Sequence, residues 1–203
     1  MPVTGFAIPR RLRREELPVG AKALARYLIG TVIVSDAPDG RTAARIVETE
    51  AYVPGDAASH AFRGRTEHNR SLFLSRGHSY VYFIYGAHYC FNVSAEREGV
   101  GGGVLIRAAE PLDGIDLMRA RRPGSSDRDL LRGPGRLAQA LAIDRASDGL
   151  DLCAPGPLWL AKSVGAKPDI GVSRRIGISK EIDRPLRFFD LHSTLRSGPK
   201  SFS

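Results

Sequence analysis

The sequence predicts a single mixed α/β domain, and three observations carry that expectation. At 203 residues the chain is long enough for one domain with a proper apolar core. Runs rich in β-branched and aromatic residues alternate with runs whose apolar residues recur at helical spacing. The 42% hydrophobic and 26% charged fractions are those of an ordinary soluble globular protein. No apolar run reaches membrane-spanning length, and the opening MPVTGFAIPRRLRREE lacks the apolar core of a secretory signal. Cys90 and Cys153 are too few for a disulfide framework and lack zinc-type spacing, so a reducing cytoplasm is expected. A formal charge of +8 and a pI near 9.9 favour a polyanionic partner, most simply nucleic acid.

Residues 1–17 form a basic lead-in in which Arg10, Arg11, Arg13 and Arg14 cluster, more readily a solvated tail than a phosphate contact. Over residues 18–28, Ala21, Leu24, Ala25 and Leu28 recur at helical spacing, and Gly30 stops the run. Residues 31–35 read as a strand, the turn at 36–40 reverses the chain, and a second strand follows, so a hairpin is expected.

That second strand contains RIVETEAY, residues 45–52. Strand alternation puts Ile46, Glu48, Glu50 and Tyr52 on one face and Val47, Thr49 and Ala51 on the other. The Pro54-Gly55-Asp56 turn ends the strand and brings His60 into the region. An acid, a tyrosine and a histidine at a strand end are the ingredients of a general-base site beside a flat ligand. Two glutamates solvated on an exposed strand are the plainer alternative.

Residues 53–79 are polar and irregular, carrying Arg63, Arg65, Arg70, Arg76, His60, His68 and His78 with Phe62 and Phe73 as anchors. An ordered loop facing an anionic ligand is favoured over a mobile basic loop. Residues 80–85 (YVYFIY) give the strongest strand signal, with Tyr80, Tyr82 and Ile84 opposite Val81, Phe83 and Tyr85. Core packing explains most aromatic strands, but Tyr85, beside Gly86 and a basic loop, is also suited to wedging into a base stack. Residues 89–94 form another strand with Cys90, Asn92 and Ser94 on one face. The glycine-rich stretch 96–103 has no Lys-Ser/Thr and opens no helix, which excludes a phosphate-binding P-loop. Arg107, in a short buried-looking strand over 104–108, needs a carboxylate such as Glu48, Glu50 or Glu110. Pro111 is expected to end that strand, and helices are expected over 113–121 and 136–143. After Asp151 the pattern is strands at 158–161, 170–172 and 185–189, with GVSRRIGISK extending a basic surface. The domain is bounded at 18–191, and residues 192–203 are expected to be a disordered tail.

RIVETEAY, DAASH, RGRT and its following Asn, YVYFIYG, FNVS, VLIRAAEP and GPGRLAQAL resemble, in order and spacing, the alkyladenine (3-methyladenine) DNA glycosylase family, over about residues 21–189. The resemblance implies a single α+β domain with a curved, mainly antiparallel sheet flanked by helices, and no cofactor or metal. It implies a monomer that acts on double-stranded DNA containing damaged purines, flipping the base and hydrolysing its bond to deoxyribose. Carried over by position, Glu50 is the general base and Arg107 helps to hold the attacking water, with Arg107 expected to keep Glu50 ionised. Tyr52, His60 and Tyr82 are walls of the base pocket, Asn92 disfavours the guanine amino group, and Tyr85 fills the gap in the duplex. Arg63, Arg65, Arg70 and Arg136 are candidate contacts to the DNA backbone. No lysine is expected in this cluster, which points to a monofunctional enzyme. His68 and Leu72 depart from the family pattern and bear on a phosphate contact and on substrate breadth. A binding module without chemistry and a two-carboxylate nuclease using Glu48 and Glu50 are the competing readings.

Overall fold

In the computed structural model, which describes residues 6–84 and 86–198, eight strands form one antiparallel sheet. They are β1 (Val32–Ala37), β2 (Gly40–Tyr52), β3 (Ser79–Ile84), β4 (His88–Ser94), β5 (Gly103–Asp113), β6 (Leu158–Ala161), β7 (Ile170–Ser173) and β8 (Arg187–Asp190). The order runs β3-β4-β5-β2-β1-β6, and β8 joins β2 on one side and β7 on the other. Strand β2 is the spine. It pairs with β5 along most of its length, with β1 through residues 40–45, and with β8 at Glu48, Thr49 and Glu50. The three α-helices among the described residues are α1 (Ala21–Leu28), α2 (Ile115–Arg121) and α3 (Pro134–Ala140). None is long and apolar enough to cross a membrane.

Helix α1 buries Ala21, Leu24, Ala25 and Leu28, the expected face, and Gly30 at φ +89° turns the chain out of it. Leu24 and Leu28 are fully buried, each contributing about 1.5–3 kcal/mol. Thr49 Oγ1 donates to the Ala25 carbonyl at 2.9 Å and ties β2 to α1. The β1–β2 hairpin forms as its turn residues predict.

Two expectations about strands change. Strand β5 runs through Pro111 to Asp113, because Pro111 lies opposite Ala44 at a break in register, where a missing N–H is tolerated. A bulge also interrupts β2: Ile46 pairs with Ala109 while Glu48 pairs with the next residue, Ala108, leaving Val47 as the extra residue. The bulge reverses the alternation. Ala44 and Ile46 lie in the main apolar core, and beyond the bulge Ala51 lies there instead. Glu48 and Glu50 thus face away from Ile46, contrary to the simple period of two.

The loop over 53–79 is built, not loose. Asn69 Nδ2 donates to the carbonyls of His60 at 2.9 Å and Gly64 at 3.0 Å, and its Oδ1 accepts from the Thr66 amide at 2.7 Å. Asp56, with no exposed surface, takes a two-pronged ion pair from Arg175 at 2.5 and 3.1 Å. From residue 10 the basic lead-in also packs on the domain: the Leu12 amide donates to the Leu160 carbonyl, and Arg14 pairs with Asp151. At the other end the stretch expected to be disordered from His192 lies against the sheet through residue 198. There Ser193 donates to Glu110 at 2.8 Å, and Arg132 donates to the Arg196 carbonyl at 2.6 Å.

Arg175 and Asp56 join two loops across 119 residues of chain. Removing one member leaves the other charge buried and unpaired. Asp56→Ala is therefore expected to lower unfolding free energy by about 3–5 kcal/mol in urea titrations, and Asp56→Ala with Arg175→Met to recover part of that loss.

Candidate active site

The concave side of the sheet holds a cavity of about 530 Å³, within the range of small-molecule sites. Strands β3 and β4 supply Tyr80, Tyr82, Cys90 and Asn92 by ordinary alternation, each strand presenting every second residue. Tyr52 comes from the end of β2, His60 from the loop that follows, and Arg107 from β5. His60 lies edge-on to Tyr82 at 4.4 Å between ring centres, and Tyr80 lies 5.5 Å from Tyr82. His60 Nδ1 and the Tyr80 hydroxyl share a hydrogen bond of 2.8 Å. Asn92 is nearly buried and donates to the Tyr80 carbonyl at 3.1 Å.

Glu50 sits directly behind this wall with no exposed surface. Its Oε2 accepts from the Tyr52 hydroxyl at 3.0 Å, its Oε1 accepts from the Ile176 amide at 2.7 Å, and Arg107 Nη1 lies 3.3 Å away. All three holding residues line the cavity. Glu48, equally buried, accepts from Arg187 at 2.6 Å, from the Ser197 hydroxyl at 2.9 Å and from Arg107 Nε at 3.2 Å. Arg107 therefore bridges the two acids, which leaves Glu110 to Arg45 and Ser193.

Burial pushes Glu50 above the ordinary carboxylate range, while Arg107, the Ile176 amide and the Tyr52 hydroxyl hold it down. Arg107 opposes the effect of burial without outweighing it, which tempers the expectation that this arginine alone sets the charge of Glu50. Burial also lowers His60, favouring its neutral form, and raises Tyr52, Tyr80 and Tyr82. The aromatic part of the cavity wall, His60 with Tyr52, Tyr80 and Tyr82, is thereby kept neutral, whereas Arg107 and Lys180 bring cations to the same cavity.

The other sequence candidates scatter. Arg63 and Arg65 are exposed and make no ion pair among the described residues. Arg70 pairs with Glu67 at 3.0 Å and Arg136 with Asp129 at 2.9 Å, all on the surface. Tyr85 lies outside the described residues. His68 is exposed, whereas Leu72 lines the cavity and bears on what fits there. The run GVSRRIGISK is not simply a basic surface. Arg175 is interior, stacked 4.6 Å over the Tyr52 ring, because Asp56 draws it in. Lys180, from the same run, lines the cavity, so the expectation of no lysine in this cluster does not hold; it is exposed and, among the described residues, Glu50 takes its hydrogen bonds and ion pair from Tyr52, Ile176 and Arg107 instead.

Sequence reasoning missed Tyr80 as a wall, although its shared face with Tyr82 signalled it. It also missed Ile176, Arg187 and Ser197, whose partners lie far away in the chain and leave no local signal.

The model of the methylpurine-DNA glycosylase family matches residues 16–194. A protein of Mesorhizobium japonicum is 60% identical over 94% of this chain and 91% of its own length. One from Paraburkholderia phytofirmans is 51% identical over 93% and 89%, and one from Carboxydothermus hydrogenoformans 45% identical over 82% and 87%. All three are provisionally named 3-methyladenine DNA glycosylase. With nearly the whole domain matched, and the cavity and its buried acid formed by residues inside that match, the chain belongs to the methylpurine-DNA glycosylase family.

Proposed function

We propose that the protein is a monofunctional DNA glycosylase that removes alkylated or deaminated purines from double-stranded DNA as a cytoplasmic monomer. The observation that carries this reading is Glu50, a carboxylate enclosed behind an aromatic cavity and held by Tyr52, Ile176 and Arg107. A protein that only binds bases has no use for such a group, since burying an acid costs free energy that binding does not recover.

In the proposed reaction the damaged nucleotide leaves the duplex and its base enters the cavity between Tyr52, His60 and Tyr82. Tyr85 fills the vacated space. Extruding a base costs a few kcal/mol, and stacking on the walls returns about 1–3 kcal/mol. An alkylated purine carries positive charge, which aromatic faces attract by about 0.5–2 kcal/mol. Water oxygen attacks C1′ of the sugar, and the N-glycosidic bond breaks with its electron pair leaving on the base. Glu50 accepts the water proton, and Arg107 positions the water beside it. Asn92, at the cavity wall, disfavours the guanine amino group. The exposed Arg63 and Arg65 take the DNA backbone, whereas Arg70 and Arg136 reach it only by exchanging their surface carboxylate partners.

A metal-dependent nuclease built on Glu48 and Glu50 fits less well. Both acids are already held by arginines, and among the described residues no group of three His, Cys, Asp or Glu side chains gathers to hold an ion.

Single-turnover base release from hypoxanthine, ethenoadenine and methylated duplexes in chelator tests the reading. Wild type is expected to release base, and Glu50→Gln to bind the duplexes normally with release reduced at least about 100-fold. Strands should be nicked only after heat or alkali; spontaneous nicking would place Lys180, not water, in the chemistry. Release should rise with pH as Glu50 ionises and then level off. Because burial raises this group, the midpoint of the acid limb should lie above the ordinary carboxylate range, and a midpoint at or below it would remove Glu50 as the titrating base. Arg63→Ala with Arg65→Ala should weaken binding to damaged and undamaged duplexes alike, and reduce the salt dependence of log affinity by about two.

A further inference from the structure

Behind the proposed catalytic pair lies a second layer that the reaction above does not use. Glu48 has no exposed surface, yet four donors converge on it: Arg187 Nε, Arg107 Nε, and both the hydroxyl and the amide of Ser197. The Ser197 hydroxyl works in both directions, donating to Glu48 at 2.9 Å and accepting from Arg107 Nε at 3.1 Å. Arg187 in turn donates to the Ser197 carbonyl and to the Ser173 hydroxyl, both at 3.1 Å. Ser197 is brought in by the last segment of the described chain, which Ser193 fastens to Glu110 and Arg132 fastens through two carbonyls.

Arg107 is therefore gripped from behind. Its Nε edge is fixed by Glu48 and Ser197, and that leaves its Nη1 directed at Glu50. An arginine side chain has several rotatable bonds, and among the described residues its side-chain hydrogen bonds are those made at the rear, to Glu48 and Ser197. We infer that Glu48, Arg187 and Ser197 form a positioning unit for Arg107, and that segment 193–198 is a working part of the active site. The inference rests on Glu50 and Arg107 acting as proposed above.

The unit also has an electrostatic consequence. Glu50 is faced by Arg107 from β5, by Tyr52 and Glu48 from its own strand, and by the Ile176 amide from the loop before β8. Arg187 of β8 stands behind Glu48, and Arg175, paired with Asp56, stands behind Tyr52. In this set Glu48 competes with Glu50 for Arg107 and repels its charge. Removing the Glu48 charge should make Glu50 easier to ionise even while it loosens Arg107.

The test is single-turnover base release and lesion-duplex binding across pH for full-length wild type, Ser197→Ala, Ser197→Thr, Glu48→Gln and Glu50→Gln, at a temperature where circular dichroism shows each variant folded. Ser197→Ala is expected to slow release by about tenfold to a hundredfold with affinity within about twofold of wild type, and Ser197→Thr to recover most of the rate. Glu48→Gln is expected to slow release and to move the acid limb down, because the Glu48 charge raises Glu50, a shift that a merely structural residue would not produce. Should Glu48→Gln not fold, Ser197→Ala decides alone. Wild-type release by Ser197→Ala, or slow release with an unmoved limb in folded Glu48→Gln, overturns the positioning role. Release by Glu50→Gln equal to wild type would instead overturn the reading of the site beneath it.

Discussion

The constraint on which this structure depends is the burial of carboxylates in a β-sheet. Glu48, Glu50 and Asp56 have no exposed surface, and each is met by an arginine that is itself at least nine-tenths buried: Arg187, Arg107 and Arg175. Isolated ions would each cost several kcal/mol at such sites, so acids and arginines are retained as a set or not at all. The set fixes β8 beside β2, draws the loop before β8 onto the one after β2, and in doing so encloses the cavity. Fold and site share the same ion pairs.

This arrangement separates two tasks that water would mix. The walls that would meet a base are neutral, with His60 lowered and the tyrosines raised by burial. The two carboxylates lie one layer deeper, where the low dielectric strengthens their attraction to Arg107 and Arg187. A flat aromatic ligand can then be held by stacking, while Arg107, which lines the cavity, links it to Glu50 behind.

Much of this was legible in the sequence. Tyr82 and Asn92 were expected at the pocket from the family resemblance, and they line the cavity because β3 and β4 are regular, so that a period of two reports the face each residue occupies. Glu50, Tyr52 and His60 could be read as one cluster because they are close in the chain and chemically unusual together, and Tyr52 and His60 do line the cavity in front of Glu50. Ile46 was placed on the wrong face because a single extra residue, Val47, reverses the alternation, and nothing in RIVETEAY marks a bulge. Arg175 and Ser197 were illegible for a different reason. Arg175 looks like any surface cation until Asp56, 119 residues earlier, is brought to it, and Ser197 looks like part of a small polar tail until Glu48 is. Local composition describes what a residue is, and in these cases a distant partner decides where it goes.

The clasp between Glu48 and Ser197 spans 149 residues of chain. Ribosomes add about 5–20 residues each second, so roughly 7–30 s separate the synthesis of the first partner from that of the second. For most of that interval Glu48 on the central strand lacks Arg187 of β8, and for all of it Glu48 lacks Ser197. The nascent chain can form its β1–β2 hairpin and first helix, but it cannot close the charged layer. If Ser197 positions Arg107 as inferred, a chain broken off late in translation would hold nearly every wall of the cavity and lack the residue that steadies its chemistry.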